Sequence, residues 1–517
     1  MKNIRLFKTE AAFEAAYNGD EYVKPWVSAT LTGDSEYRVN YNKTKEEELR
    51  GTPLTFEITS DGNVVWKAQQ AIYAKTIEYK KNDGEWTSIT STTPGTSISV
   101  VSGDTVQFRG NNVRYAENYL GASNCFSGTT CEFNVKGNIM SLIRSTGFVT
   151  ATTLESSFTF VALFQYCPGL IDASKLILPA TTLKADCYYG MFQGCRNLTA
   201  APELPATTLE GRCYGQMFSY CISLTTAPEL PATTLAGNCY QSMFYGCTGL
   251  IKSPDILATS IGSNSFQQMF DGCTGLISAG TIGTPETVFT GNYACQSMFN
   301  GCTSLVAAPK LPIMNLGSSC YFQMFKGCAG LTKAPELPAT TLASSCYYEM
   351  FLNCTGLTTA PSILPATALT YNCYYGMFNN CRSLTTTPVL PATALTESCY
   401  SNMFTNCTSL TAAPELPATV LASSCYTYMF SWCSNLVAAP ILPATTLTND
   451  CYYFMFTNCT KLNYIKCLAT DISATDCTKD WVNGVASAGT FVKDANMSSW
   501  TTGYSGIPNN WTVQDAS

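Results

Sequence analysis

The apolar residues of this chain recur at a fixed interval over most of its length. The dipeptide Met-Phe returns at Met191, Met217, Met243, Met269, Met298, Met324, Met350, Met377, Met403, Met429 and Met455. The spacing is 26 residues, with one interval of 29 and one of 27. A degenerate copy precedes these, starting near Ala151 and carrying Leu163-Phe164 in place of Met-Phe, and the last copy fades after Leu462. Self-similarity at such a period marks a solenoid, in which no unit can bury its own apolar face and neighbours bury it by stacking.

Each unit has two halves. In the segment CYxxMFxxC, the helical period brings both Cys, the Tyr, the Met and the Phe onto one face, with the x positions mostly outside it. That pattern predicts an amphipathic helix of two to three turns. Ser-Ser, Asn-Asp or Glu-Ser before the first Cys reads as an N-cap, and Gly or Asn before the second as a stop. The second half reads SLTTAPELPATTL. Its two prolines forbid helix, and a short strand at Leu-Thr-Thr-Ala is expected, ended by the Ala-Pro step. The expected fold class is an α/β repeat solenoid of about 12 units of 26 residues over residues 150–473.

Ahead of the repeats, PLTFEIT and GNVVWKA flank Ser-Asp-Gly, and KTIEYKK and EWTSI flank Asn-Asp-Gly, a hairpin cue. With SISVVSGDTVQFRG and CEFNVKG these give about six strands, read as a small Ig-like β-sandwich over residues 46–149. Residues 1–45 read as a separate attachment segment with a short helix near Thr9 to Tyr17. Residues 474–517 break the repeat and supply Trp481, Phe491, Trp500 and Trp511, the expected C-terminal cap.

Composition narrows the chemistry. The chain has 517 residues and no His. That absence excludes Ser-His-Asp triads, Cys-His dyads, and zinc or haem ligation by His. No acidic cluster singles itself out, so the chain is not expected to be an enzyme and no cofactor is implied. A formal net charge of −7 argues against a nucleic-acid partner. The first twenty residues hold no apolar stretch of a secretory signal, and no run approaches 18 apolar residues, so neither export by that route nor membrane insertion is expected.

Several columns invite a functional reading. Cysteines eight residues apart would lie about 12 Å apart on a helix, beyond disulfide reach. Their spacing is not that of zinc ligands, and Ser265 and Ala294 stand where two should be. They read as buried core thiols; Cys125 and Cys131 are the pair most open to a disulfide. The column Tyr188, Tyr214, Tyr240, Tyr321, Tyr347, Tyr374, Tyr400, Tyr426 and Tyr452 falls on the apolar face. The neighbouring Tyr189, Phe322, Tyr348, Tyr375 and Tyr453 fall outside it, as binding-site candidates. Beside them the chain varies at Gly190, Gln216, Ser242, Gln323, Glu349, Asn402, Tyr428 and Phe454. The aromatic members Tyr428 and Phe454, with Trp432, bias the expected contact surface toward residues 420–460. An interrupted acidic column, Glu203, Glu229, Asp255, Glu336 and Glu415, reads as a solvated edge rather than a calcium site. Paired threonines such as Thr207 and Thr208 read as stacking turn residues.

Segments such as MFNGCTSLVAAPKLP and MFTNCTSLTAAPELP resemble the AFxxCxxLxxIxIP signature of BspA-type leucine-rich repeats, and the resemblance extends across the whole repeat region. The 26-residue period is longer than that family's, and the Pro after the strand departs from its pattern. The resemblance implies a leucine-rich-repeat-like architecture and an adhesive or surface role. LFKTEAAFEAAYNGDEYVKPWVSATL followed by YRVNYNK resembles the leader of gut-phage virion proteins, and GTFVKDANMSSWTTGYSGIPNNWTV a tail found among such repeat proteins. Together these imply a phage virion protein, a fibre or surface decoration. It would bind other virion proteins through residues 1–150, and a host surface protein or glycan through the repeats. A homo-oligomer is compatible with this. The alternative is a bacterial cell-surface adhesin.

Overall fold

The computed structural model describes residues 47–516 apart from Leu120, Ala122 and Ser499. The attachment segment expected over residues 1–45, with its helix, lies outside the described residues. The chain forms a β-solenoid of about 13 turns of roughly 26 residues. Among the described residues, α-helix is confined to 47–51.

The helix expected in each CYxxMFxxC segment is absent. In its place is a run of consecutive turns with a period of four. Every fourth residue takes the left-handed backbone conformation: Asp186, Gly190 and Gly194 at φ of 57°, 59° and 74°, and Ser345, Glu349 and Asn353 at 55°, 50° and 63°. Alternate N–H groups then point two ways. Those of Tyr189, Met191, Gln193 and Cys195 donate to carbonyls three residues back, at 3.0–3.2 Å. Those of Tyr188, Gly190, Phe192 and Gly194 donate across to Cys213, Gly215, Met217 and Ser219 of the following turn, at 2.8–3.0 Å. A helix directs every N–H back along its own chain; this arrangement commits half of them to the neighbour.

The apolar pattern did not separate the two possibilities. Counted from the first Cys as position 0, a period of four turns positions 0, 1, 4, 5 and 8 inward and 2, 3, 6 and 7 outward. The inward set is the one that shares a helical face. Over nine residues, periods of 3.6 and 4.0 diverge by about one position. The residues read as an N-cap (Ser319, Ser345, Ser398, Ser424, Asp450) and as a stop (Gly246, Gly327, Asn353, Asn406) are the left-handed positions themselves. Gly and Asn tolerate that conformation best.

The second half of each unit joins its neighbours by short parallel ladders. Two-residue strands β10 (Thr182–Leu183), β11 (Thr208–Leu209), β12 (Thr234–Leu235), β13 (Ser260–Ile261) and β14 (Val288–Phe289) form one sheet in that order. Single bridges extend it through Asn315↔Thr341 and Ala394↔Val420. A second line of bridges, including Thr226↔Lys252 and Lys252↔Ser278, falls in the expected Leu-Thr-Thr-Ala segment, one residue wide rather than a strand. The prolines on its C-terminal side lack the N–H that a wider ladder needs.

Inside, the columns stack. Rings from Phe164 to Phe456 lie 5.3–5.7 Å apart, with planes within 8°. The Tyr column is buried beside them and tolerates Phe266, so it selects the ring rather than the hydroxyl. Cys295 breaks this column, and Phe289 packs edge-on against Tyr321 at 6.0 Å next to the gap. All 26 cysteines are free and buried, including Cys125 and Cys131. Each second-column thiol donates to a Phe carbonyl of the preceding turn: Cys195 to Phe164 at 2.9 Å, Cys221 to Phe192 at 3.1 Å, and onward to Cys459 and Phe430 at 3.0 Å.

Both ends continue the stack. The leading region holds a six-stranded sheet ordered β4-β3-β6-β1-β8-β9 and a three-stranded sheet ordered β5-β2-β7. These are β1 (Leu54–Ile58), β2 (Gly62–Ala68), β3 (Thr76–Lys81), β4 (Thr87–Thr90), β5 (Thr96–Val100), β6 (Thr105–Arg109), β7 (Asn124–Cys125), β8 (Phe133–Asn138) and β9 (Leu170–Ile177). Strand β9 belongs to the first solenoid turn and pairs in parallel with β8. Tyr115 stacks on Phe160 at 6.2 Å and Phe126 on Phe164 at 5.8 Å, so both aromatic columns run into the leading region. One hydrophobic core extends from Leu54 to Trp511. At the other end the repeat does not stop at Leu462. Asp476, Asp480 and Gly484, at φ of 50°, 50° and 76°, carry one more turn, with Trp481 in the Met position. Then β15 (Tyr464–Cys467), β16 (Thr490–Lys493) and β17 (Thr512–Asp515) stack in parallel, and Trp481, Phe491 and Trp500 close the core.

Burial sets the pH behaviour. It pushes the thiols of Cys195, Cys247, Cys354 and Cys433 up to about 12 from a usual value near 9.0. The unfolded chain therefore loses these protons before the folded one does. The stabilisation is complete below about pH 9 and is lost as pH rises toward 12, at up to about 1.4 kcal/mol per thiol per pH unit. Native protein at pH 8 should resist alkylation at most of its cysteines, and the melting temperature should fall steeply above pH 9. Rapid alkylation of more than half of the thiols would refute the buried columns. Because each turn contacts only its neighbours, deleting the whole unit 396–421 should leave a shorter folded protein. Deleting residues 396–408 should destroy cooperative unfolding. Equal damage from both deletions would contradict the solenoid, and spectroscopic melting of the two variants decides it.

Candidate functional site

The two outward positions of each four-residue turn form columns along the solenoid. In the early units the columns carry amides. Gln69 Nε2 donates to Gln165 Oε1 at 3.3 Å and Gln193 Nε2 to Gln216 Oε1 at 2.9 Å, while Gln241, Gln267 and Gln296 continue at 2.7 and 2.8 Å. Farther along, the same face turns aromatic. Phe322 and Tyr348 stack at 4.7 Å with planes 2° apart, and Tyr348 and Tyr375 at 4.6 Å and 4°. These three half-buried rings make one continuous strip. Glu349 lies beside it, accepting from Gln323 Nε2 at 2.7 Å. Partial burial, with Glu349 and Tyr375 nearby, pushes the Tyr348 phenol up to about 12.

A second group begins two turns on. Tyr428 stacks on Phe454 at 5.0 Å and meets Tyr453 edge-on at 5.7 Å. Lys479 Nζ lies 5.6 Å from the centre of the Tyr453 ring. Trp432 is 56% exposed, four residues after Tyr428 and on the next left-handed position. The structure thus gathers seven of the eight candidate residues into two patches. The eighth, Tyr189, stands apart, 5.3 Å from the Tyr119 ring of the leading region and packed on Val161 and Ala162.

Tyr428 and Phe454 at φ of 55° and 53°, and Trp432 at 65°, occupy a conformation that costs such side chains about 1–2 kcal/mol each. The same conformation recurs every fourth residue in all the turns, so it belongs to the scaffold. Tyr371, 50% exposed and near Tyr375, joins the first patch. Its position two residues before the first Cys lies outside the column that pattern analysis singled out, so periodicity gave no signal for it.

The other columns are structural. Asp255 Oδ1 accepts from the Thr281 N–H at 2.6 Å, and Glu336 Oε2 from both the N–H and hydroxyl of Ser362, so these two carboxylates of the acidic edge bond the next turn. Shallow grooves of 680 Å³ and 540 Å³ run between adjacent Ala-Pro segments near Pro202 and Pro309. Only scattered charges rim them. Among the described residues no group of three or more His, Cys, Asp or Glu is placed to hold a metal ion, and no helix is long and apolar enough to cross a membrane. No family model matches the chain, and no curated protein matches it. The likeness to BspA-type leucine-rich repeats rests on the Phe, Cys and Leu spacing alone.

Proposed function

We propose that the chain is a non-catalytic display scaffold, a structural protein of a phage virion that acts as a fibre or surface decoration and contacts its host or gut glycans. The observation that carries the display reading is the strip Phe322–Tyr348–Tyr375, with the patch of Tyr428, Trp432, Tyr453 and Phe454 beyond it. Partly exposed rings on a rigid surface suit ligands with an apolar face, such as sugar rings and protein side chains. The four-residue turn supports this reading, because its outward pair lies outside the stacked Cys, Tyr, Met and Phe columns and carries different side chains from unit to unit. Placement in a virion is supported by the leader-like residues 6–43, which would attach the protein through its N-terminal region. A second reading, a bacterial surface adhesin, is favoured by the BspA-like motif spacing. Gene neighbourhood separates the two, as capsid and portal genes accompany only the first.

The test uses full-length protein carrying Tyr348→Ser with Tyr375→Ser, or Tyr428→Ser with Tyr453→Ser. Both should keep the parental melting temperature within a few degrees, since these rings stand outside the core. At least one should weaken retention on host cells or a glycan array by about tenfold, the loss expected for an aromatic contact worth about 1.4 kcal/mol. Unchanged retention for both would sink the display reading. Mass spectrometry of purified particles should find the protein in the virion, whereas recovery from bacterial envelopes alone would favour the adhesin.

A further inference from the structure

Where the leading region meets the first solenoid turns, a pocket of 350 Å³ opens beside Tyr189. That size falls at the small end of small-molecule sites, which span roughly 300–1,000 Å³. One wall is aromatic and apolar, made by Tyr119 and Tyr189 with Val161 and Ala162. The other is the amide run Gln69, Gln165, Gln193 and Gln216, linked end to end by one hydrogen bond per step. A primary amide has two N–H donors and an oxygen with two lone pairs. After the ladder bonds, each keeps donor and acceptor capacity for a ligand. Among the described residues, no charged one lines the pocket. Arg212 lies 4.6 Å from the Tyr119 ring centre, and its charge is taken up by Asp186 at 2.7 and 3.2 Å.

Ser123 lines the pocket and is only 1% exposed, and its hydroxyl has no hydrogen-bond partner among the described residues. A buried hydroxyl left unpaired costs about 1–3 kcal/mol, and a ligand hydroxyl would satisfy it.

We infer that this pocket binds a neutral pyranose, such as the terminal sugar of a glycan, with the apolar sugar face on Tyr189 and its hydroxyl groups on the glutamine amides and Ser123. The absence of charge in the lining disfavours acidic sugars and phosphates. Paired donors and acceptors match hydroxyl groups, each of which does both. This deepens the display reading and rests on it only for the source of the sugar. The pocket lies at the opposite end of the solenoid from the distal patch, so the two sites can be tested separately.

The experiment presents full-length protein with a panel of neutral methyl glycosides, with sialic acid as the charged comparison, and reads binding by saturation-transfer NMR and calorimetry. At least one neutral glycoside should bind. Ser123→Ala should weaken it about tenfold without lowering the melting temperature, because the hydroxyl it removes has no partner among the described residues. Gln193→Leu should weaken it too, and Tyr348→Ser with Tyr375→Ser should not. No binding by any neutral glycoside, tighter binding of sialic acid, or binding indifferent to both Ser123→Ala and Gln193→Leu would overturn the proposal. Pocket binding in the presence of full cell retention by the aromatic-patch variants would sink the two patches as the contact surface and leave this site standing; pocket binding with cell retention unchanged by Gln193→Leu as well would sink the display reading alone.

Discussion

Everything in this molecule depends on how the turn segments dispose of their backbone N–H groups. A left-handed residue every fourth position lets alternate amides point back along the chain and across to the next turn. Backbone donors and acceptors must be paired when buried, and here pairing itself stitches one unit to the next. The arrangement has a conformational cost wherever the left-handed residue is not Gly. It is held because each such residue sits between two bonded neighbours and cannot relax alone.

From that backbone follow the columns. Two inward residues per turn place Cys beside Tyr and Met beside Phe, and stacking repeats each choice down the array. Cysteine suits its place because it is small, apolar and able to donate a weak hydrogen bond. The second-column thiols use that donor on a Phe carbonyl, and Ser265, where it replaces a first-column Cys, gives its hydroxyl to Gly262 and Ala236 carbonyls at 2.9 and 3.0 Å. The same geometry leaves two outward residues per turn uncommitted. An amide ladder, an aromatic strip and a strained aromatic patch can therefore share one scaffold without disturbing it.

The solenoid, its period, the buried columns and the outward aromatic positions were legible in the sequence, because each rests on a repeat that eleven Met-Phe copies make plain. The turn conformation was not. A nine-residue window does not separate a period of 3.6 from one of 4.0, and Asp186 and Gly194 fit a capped helix as readily as two left-handed turns. The thirteenth turn was hidden because Trp481 replaces Met and breaks the motif while keeping the backbone. The pocket at Tyr189 escaped because Gln69, Tyr119 and Ser123 lie in the leading region, which no repeat aligns with the first turns.

The direct test of the turn scheme is the stability of Gly327→Ala, measured by denaturant unfolding. Gly327 has φ of 74°, and a Cβ added there would meet nothing closer than 3.8 Å, so sterics do not confuse the result. In a helix, replacing glycine by alanine stabilises by about 0.5–1 kcal/mol. In a left-handed turn it destabilises, by about 1–2 kcal/mol. The alternating turn scheme requires a loss of stability, and a gain would contradict it.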